Sequence, residues 1–321
     1  MRAALIRTLD GPSAIEIVDD HPAPTRGDDE ILIEVHSVGL NFPDLLQTRG
    51  LYQYRPDLPY VPGSEAAGIV LEAPAGSPLR AGDRVVGIGR VGAVADAVAV
   101  PAEHAFPLPD GMSFAAAAAL PLNYLTSYFA LVERGRLAPG DVVLVHGAAG
   151  GVGIASIQIA RAFGAGRVIA VTSTEQKGTL ALDAGADEYV LSDGFLDAVG
   201  RKSVDVVLDP VGGDRVTDSL RALREFGRLL VVGFTAGDIP SVKLNRLLLD
   251  NLDVVGVGWG AYTRPKPGGM QRQWAALWPH LESGLIAPVI GGRFTMDATA
   301  AALGLMDTRG ATWKLVIDVR P

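Results

Sequence analysis

Val142-Val-Leu-Val-His146-Gly-Ala-Ala-Gly150-Gly-Val-Gly153-Ile154 is the stretch whose reading decides the fold. Four apolar residues, three of them β-branched, run into a glycine cluster with no polar alternation. A strand buried on both faces, in the middle of a parallel sheet, reads this way. The segment Ile154 to Phe163 then reads as a helix, with Ala155, Ser156, Ile159, Ala160 and Phe163 on one face. Strand, glycine turn and helix together make a site for an anion. The first amides of a helix have no internal partner, and the macrodipole adds positive charge there. Glycine lets the backbone approach a pyrophosphate that a Cβ would push away.

The dinucleotide fingerprint is Gly-x-Gly-x-x-Gly, and this chain departs from it with Ala148-Ala-Gly150-Gly-Val-Gly153. Glycine turns also close ordinary βα units, so the next strand carries the decision. Arg167 to Ser173 is a second buried strand, ending where a ribose-reading residue should lie. An NAD site would place a carboxylate there. This strand ends in Thr172-Ser173, with Lys177 one helical turn later and Glu175 expected in the first turn of the next helix. Hydroxyls and a cation suit a 2′-phosphate, so the favoured cofactor is NADPH.

The chain has 321 residues, enough for two domains, and its formal net charge of −8 argues against nucleic acid or an anionic membrane as main partner. It contains no cysteine, which removes disulfides, thiolate nucleophiles and cysteine-ligated zinc. Its five histidines (His21, His36, His104, His146 and His280) show no metal-ligand spacing, and His146, closing a buried strand, reads as structural. Neither a signal peptide's apolar core nor a membrane-spanning run of ~20 apolar residues is present, so a cytoplasmic protein is expected.

Residues 1 to about 120 read as short strands at 3–6, 15–18, 31–38, 68–71, 83–87 and 97–100, broken by Gly and Pro. They suggest a folded-over β domain with no parallel core. Ser113 reads as the N-cap of a helix over 114–120, followed by a helix over 123–133. From Asp141 the rhythm is regular, with strands at 142–146, 167–172, 188–191, 204–208, 228–233 and 252–257. A helix over 214–225 would place Val216, Leu220 and Leu223 on one face. Repeated βα units mean a doubly wound parallel sheet. After Arg264 come an amphipathic helix over 271–283, a helix over 298–307 and a strand over 314–319. This tail is expected to return to the first domain.

Several motifs in order resemble the medium-chain dehydrogenase/reductase superfamily, and within it the zinc-independent quinone oxidoreductases related to ζ-crystallin. They are Gly39-Leu-Asn41-Phe-Pro-Asp44, Gly50-Leu-Tyr52, Pro62-Gly-Ser64-Glu-Ala-Ala-Gly68, Ala81-Gly-Asp-Arg-Val85, Leu122-Asn-Tyr-Leu-Thr126, His146 to Gly153, and Ser173-Thr-Glu-Gln-Lys177. The resemblance covers nearly the whole chain. It implies an α/β protein with a GroES-like β-rich catalytic domain (residues 1–122 and 265–321), a Rossmann NADPH-binding domain (residues 123–264) and a cleft between them. It also suggests homodimers joined through the last Rossmann strand.

Zinc-dependent relatives carry a cysteine where Asn41 stands and a histidine where Ser64 stands, so the resemblance implies no catalytic metal. It implies that Asn41 and Thr126 line the nicotinamide, that Gly150, Gly151 and Val152 meet the pyrophosphate, and that Ser173 and Lys177 meet the 2′-phosphate. Phe234, Val257 and Gly258 would close over the nicotinamide end, and Arg309 would approach the adenosine phosphate. Relatives often add a phosphate-pocket tyrosine where this chain has Ser192, and a glycine where it has Trp313. The expected activity is hydride transfer to a quinone-type acceptor, with Tyr52 as candidate acid and Asp44 orienting its loop. Two other readings are an enone or enoyl-thioester reductase, which a basic entrance for its substrate would favour, and a non-catalytic NADPH-binding protein. The first sits poorly with 28 Lys and Arg against 36 Asp and Glu, the second with Asn41, Tyr52 and Thr126 all in place.

Overall fold

Short apolar stretches, alternating in burial over 30–37 and 97–101, shape the strands of the first hundred residues. These are β1 (Ala3–Ile6), β2 (Ile15–Val18), β3 (Glu30–Leu40), β4 (Glu65–Glu72), β5 (Arg84–Ile88), β6 (Ala97–Pro101) and β7 (Ala105–Pro107) in the computed structural model, which describes residues 1–263, 265–308 and 310–320. The continuous apolar runs follow as β8 (Val142–His146), β9 (Arg167–Thr172), β10 (Glu188–Leu191), β11 (Val204–Asp209), β12 (Leu223–Val231) and β13 (Asp253–Gly256). The tail adds β14 (Ile290–Thr295) and β15 (Lys314–Asp318).

Contacts divide the chain into two units, Met1–Leu122 with Met270–Trp274 and Pro288–Pro321, and Asn123–Gly269 with Ala275–Ala287. The return expected of the whole tail from residue 265 is therefore shared, since residues 265–269 and 275–287 fall in the second unit. In the first unit, one sheet runs β14-β15-β3-β4-β5-β7, with β6 also on β3, while β1 and β2 form a separate antiparallel pair. β14 and β15 run parallel, and β14 itself has no counterpart in the sequence reading. Its alternating exposure gives it only a half-buried pattern, in a segment with two glycines.

β3 is the spine of this unit. Its Ile31, Ile33 and Val35 point into the core, and a register shift between Val35 and Ser37 lets Val38, Gly39 and Leu40 all be buried. Gly39 has no alternative there. A Cβ would lie 2.0 Å from the Ala118 carbonyl oxygen and 2.7 Å from a Glu65 carboxylate oxygen.

The second unit is a six-stranded parallel sheet in the order β10-β9-β8-β11-β12-β13. Numbered from β8, this is 3-2-1-4-5-6, the Rossmann order, whose direction of winding reverses at β8. Its core joins Leu144, Ile169, Val207, Leu220 and Leu229. The helix expected over 214–225 is shorter, Val216–Ala222, because Leu223 already pairs with Val204. The irregular start of β12, with Phe226 at φ +63° before Gly227, conceals that strand from a periodicity reading. The segment 121–134 is helical, but Pro121–Leu125 and Phe129–Arg134 are π-turns around a short α-turn.

His146 closes β8 with its ring fully buried. The Ser219 hydroxyl donates to the Arg215 carbonyl at 2.9 Å, so it accepts from His146 Nε2 at 2.8 Å. Burial, aided by the charge of Arg215, pushes this imidazole down to about 3, and it stays neutral. The pair is a structural clamp between β8 and the Val216–Ala222 helix.

Candidate active site

Asn41 caps the helix Phe42–Gln47, and its backbone N–H donates to Asp44 Oδ2 at 2.7 Å. Its side chain is held on both sides. Lys314 Nζ donates to Asn41 Oδ1 at 2.6 Å, while Asn41 Nδ2 donates to Glu65 Oε1 at 2.9 Å and to the Gly39 carbonyl at 3.3 Å. Lys314 also pairs directly with Glu65, whose second oxygen accepts the Leu122 backbone N–H at 2.7 Å. Asn41, Asp44, Glu65 and Lys314 are all buried, so three segments remote in sequence meet in one charged, enclosed cluster.

Asp44 is the electrostatic oddity of this cluster. Burial raises its carboxyl to about 7, against the opposing pull of the Asn41 N–H and of Lys314. Its Oδ1, like Gln47 Oε1, Tyr60 Oη and Ser64 Oγ, is buried without a hydrogen-bond partner among the described residues. The Tyr60 hydroxyl is pushed up to about 12 by burial and by the charge of Asp44. Tyr52 lies beyond the other end of the helix, half-buried, after the left-handed turn at Gly50 (φ +63°).

The arrangement does not fit zinc. There is no cysteine, Asn41 and Ser64 offer only neutral oxygen donors, and the ammonium of Lys314 already neutralises Glu65. Among the described residues no group of three or more His, Asp or Glu side chains could hold a metal ion.

The second unit fits a dinucleotide. Gly150 caps the 12-residue helix Gly151–Ala162, which carries no acidic residue in its first turn. The Ile154 N–H bonds the Gly150 carbonyl and the Gly150 N–H bonds the Gly147 carbonyl, each at 2.9 Å, leaving the amides of Gly151 and Val152 between them for an anion. The pyrophosphate role expected of the Gly150 amide is not available to it. A Cβ on Gly151 would lie 2.5 Å from Asn123 Nδ2, and one on Gly153 would lie 2.3 Å from the Gly147 carbonyl. Thr126 follows Asn123 in the π-wound segment. Next to it, Ser127 Oγ donates to the Val152 carbonyl at 3.3 Å and accepts from Ser156 Oγ at 2.9 Å. The segment bearing Thr126 is thereby pinned to the glycine turn.

The remaining candidates of this unit follow the ends of parallel strands, at the edge where such sheets bind ligands. Ser173 is exposed after β9, and Thr174 caps the helix Glu175–Asp183 by accepting from Lys177 N–H at 3.3 Å. Lys177 is half-buried, and Glu175 sits in the first turn of that helix, as expected. After β11, Asp209 Oδ1 accepts the Val211 and Gly212 N–H groups at 2.8 and 2.9 Å. Gly212 leaves room for Phe234, since a Cβ there would come within 2.8 Å of that ring. Val257 donates its N–H to Val231, and Gly258 follows at the surface. Arg309 lies outside the described residues. Glu65, inside the Pro62–Gly68 motif, and Lys314, at the start of the last expected strand, are the two members of the first unit's cluster to which the sequence reading gave no role.

The family described as Zinc-binding dehydrogenase matches residues 151–283, and the Alcohol dehydrogenase GroES-like domain matches residues 27–110. Quinone oxidoreductase-like protein 2 of Rattus norvegicus is 36% identical, over 99% of this chain and 92% of that protein. The quinone oxidoreductase of Thermus thermophilus, solved alone and with NADPH, superimposes with a TM-score of 0.84 at 35% identity, over 99% of this chain and 100% of that one. The Escherichia coli quinone oxidoreductase complexed with NADPH has a TM-score of 0.89 at 30% identity, with 99% and 100% covered.

Asp44 gives the cluster a pH signature. Its native pKa of about 7 exceeds the ordinary 3.8, so the folded state binds the proton more tightly. That contribution is complete below pH ~4 and is lost as pH rises through ~7, a change of about 4 kcal/mol. Asp44→Asn should therefore gain stability relative to the parent between pH 4 and 7.5. Chemical denaturation at several pH values measures this, and a parent-minus-variant difference independent of pH would contradict it.

Proposed function

Because this chain belongs to the medium-chain dehydrogenase/reductase superfamily, in its quinone oxidoreductase-like family, we propose that it transfers a hydride from NADPH to a quinone-type acceptor without a metal. The observation that carries this reading is the pairing of a sterically glycine-dependent helix N-terminus at Gly150–Val152 with the hydroxyls and cation at Ser173 and Lys177. The likeness to quinone oxidoreductases solved with NADPH supports it.

NADPH supplies the hydride when bound, and the chain's own residues supply binding, orientation and charge balance. In this reading the amides of Gly151 and Val152 take the pyrophosphate, Gly150 shapes the turn with its own N–H held by the Gly147 carbonyl, and Ser173 and Lys177 take the 2′-phosphate. Arg309 joins them at the adenosine end. Thr126, Phe234, Val257, Gly258 and Asn41 are the residues assigned to the nicotinamide. Tyr52 is the candidate proton donor to the reduced acceptor. No helix among the described residues is long and apolar enough to cross a membrane.

We also propose a homodimer joined along β13. This strand ends the six-stranded sheet, and Val254 is exposed on it. Beside it, Leu244, Leu248 and Leu249 of the preceding segment are each at least 75% exposed. An open edge flanked by exposed leucines invites pairing with another sheet. Sedimentation should give twice the chain mass of 33.5 kDa, and Leu248→Asp should shift it towards the monomer. A monomeric parent protein would remove the dimer from this reading.

Cofactor choice tests the phosphate site. Charge-assisted hydrogen bonds are worth about 1.5–3 kcal/mol, so Lys177→Ala should weaken NADPH binding about tenfold to a hundredfold and leave NADH binding unchanged. Titration by cofactor fluorescence reads both, and equal affinities for the two cofactors in the parent would sink the assignment.

The acceptor class is tested through Tyr52. Hydride addition to a quinone gives a phenolate of pKa ~10, which takes a proton from water readily. An enone gives an enolate that must be protonated on carbon, where a positioned acid contributes ~10²–10⁴-fold. With saturating NADPH, Tyr52→Phe should change quinone turnover by less than about tenfold and abolish most activity on an α,β-unsaturated ketone. A fall of ~10²-fold with the quinone would mean that Tyr52 serves that reduction directly.

A further inference from the structure

The cluster around Asn41 carries more organisation than charge neutralisation requires. A lysine ammonium can only donate and a carboxylate only accept, whereas an asparagine amide offers one of each and has nearly the same shape when flipped. Lys314 Nζ sits at 2.6 Å from Asn41 Oδ1, and Glu65 Oε1 sits at 2.9 Å from Asn41 Nδ2. These two partners admit a single orientation of the amide. The backbone N–H of the same residue is held by Asp44, and its side chain is enclosed by the Gly39 backbone.

We infer that Lys314 and Glu65 are positioning residues that fix the orientation of the Asn41 amide at the reacting centre. The inference rests on the placement of Asn41 beside the nicotinamide proposed above. Lys314 and Glu65 already neutralise one another, so Asn41 is not needed to balance their charge. A buried ion pair is also weak as a stabilising device, because desolvation offsets most of its attraction. What the shared geometry does provide is direction. Both Nδ2 hydrogens are engaged, by Glu65 and by Gly39, and one lone pair of Oδ1 is taken by Lys314. The remaining capacity of Asn41 is the second lone pair of Oδ1. Asn41 therefore meets a bound group as a hydrogen-bond acceptor, its oxygen polarised by the ammonium. The group it orients is an N–H or O–H donor, such as a carboxamide nitrogen, and not the carbonyl oxygen of the acceptor. Gly39 is part of the device, since a Cβ there would lie 2.8 Å from Lys314 Cε.

The test removes both charges together, as Lys314→Met with Glu65→Gln, so that no lone charge is left buried. Lys314→Met alone, which removes the donor to Asn41 Oδ1 and leaves a carboxyl that can take up a proton, serves if the double variant does not fold. The first readout is the Asn41 side-chain amide resonance pair by NMR, assigned by its loss in Asn41→Ala. It should be sharp and slow to exchange in the parent, and shifted or broadened in the variant. An unchanged pair in a folded variant would overturn the inference.

The second readout is kinetic. The variant should bind NADPH within about threefold of the parent while kcat for the quinone falls about tenfold or more at similar KM. Adding Asn41→Ala to the variant should then cost less than about twofold further, because the amide it removes is already misdirected. Fully additive losses, or kcat held within about twofold in a folded variant, would show the pair to be structural only. Should Asn41→Ala alone leave kcat unchanged while the resonances respond, the orienting role stands and the placement of Asn41 beside the nicotinamide falls.

Discussion

An ammonium cannot be taken out of water alone, and the first unit is arranged around that constraint. Lys314 enters at the start of the last strand, and its charge is met by Glu65 at the start of β4 and by the oxygen of Asn41 at the end of β3. These three points fix the register of the central strands in a way apolar packing does not. Shifting β15 by one residue would turn Lys314 to the opposite face and bury two carboxyl groups without a cation. The missing side chain at Gly39 and the register shift in β3 both follow, since each lets β3 deliver Asn41 into a space already filled by charged groups.

The second unit meets the opposite problem. It has few buried charges, and its neutral histidine at the end of β8 is clamped to Ser219. Its polarity comes from the backbone, from amides at the start of the Gly151–Ala162 helix that no carboxylate of the first turn compensates. The packing that keeps those amides open is local and steric. Gly153 rests against the Gly147 carbonyl, and Gly151 against the amide of Asn123. The departure from the full fingerprint is thus harmless at its first position. Gly147, one residue earlier, takes the left-handed turn (φ +58°), and Ala148 and Ala149 fit behind it.

How much of this was legible follows from the range of each signal. The strands β8, β9 and β11 were readable because burial on both faces leaves an apolar run, and Ser113 was readable as a cap because its hydroxyl accepts from Ala116. The start of β12 was not, because Leu223 continues the apolar face of the preceding helix while already pairing with Val204. β14 alternates, but two glycines and an arginine dilute it. In the site, the glycine turn and the Thr172–Lys177 segment lie close in sequence and could be read together. Glu65 and Lys314 could not, because they stand 24 and 273 residues from Asn41 along the chain. Position 313 illustrates the same limit. Trp313 stands at φ +56°, the left-handed region in which the glycine of relatives is at home, and only the backbone reveals why that glycine is usual.

The same geometry shows how a buried cluster in a chain matching a family described as zinc-binding can be ordered by a side-chain cation. A metal ion in a buried site neutralises its ligands and fixes their directions at once. Here the two tasks fall to a tethered cation. Lys314 neutralises Glu65 and orders the Asn41 amide, and it cannot dissociate because it is part of β15. An ammonium differs from a metal in one decisive respect, for it has no open coordination position from which to polarise a substrate carbonyl. Polarising a bound carbonyl would therefore fall to another group, such as the candidate acid Tyr52 of the proposed reading.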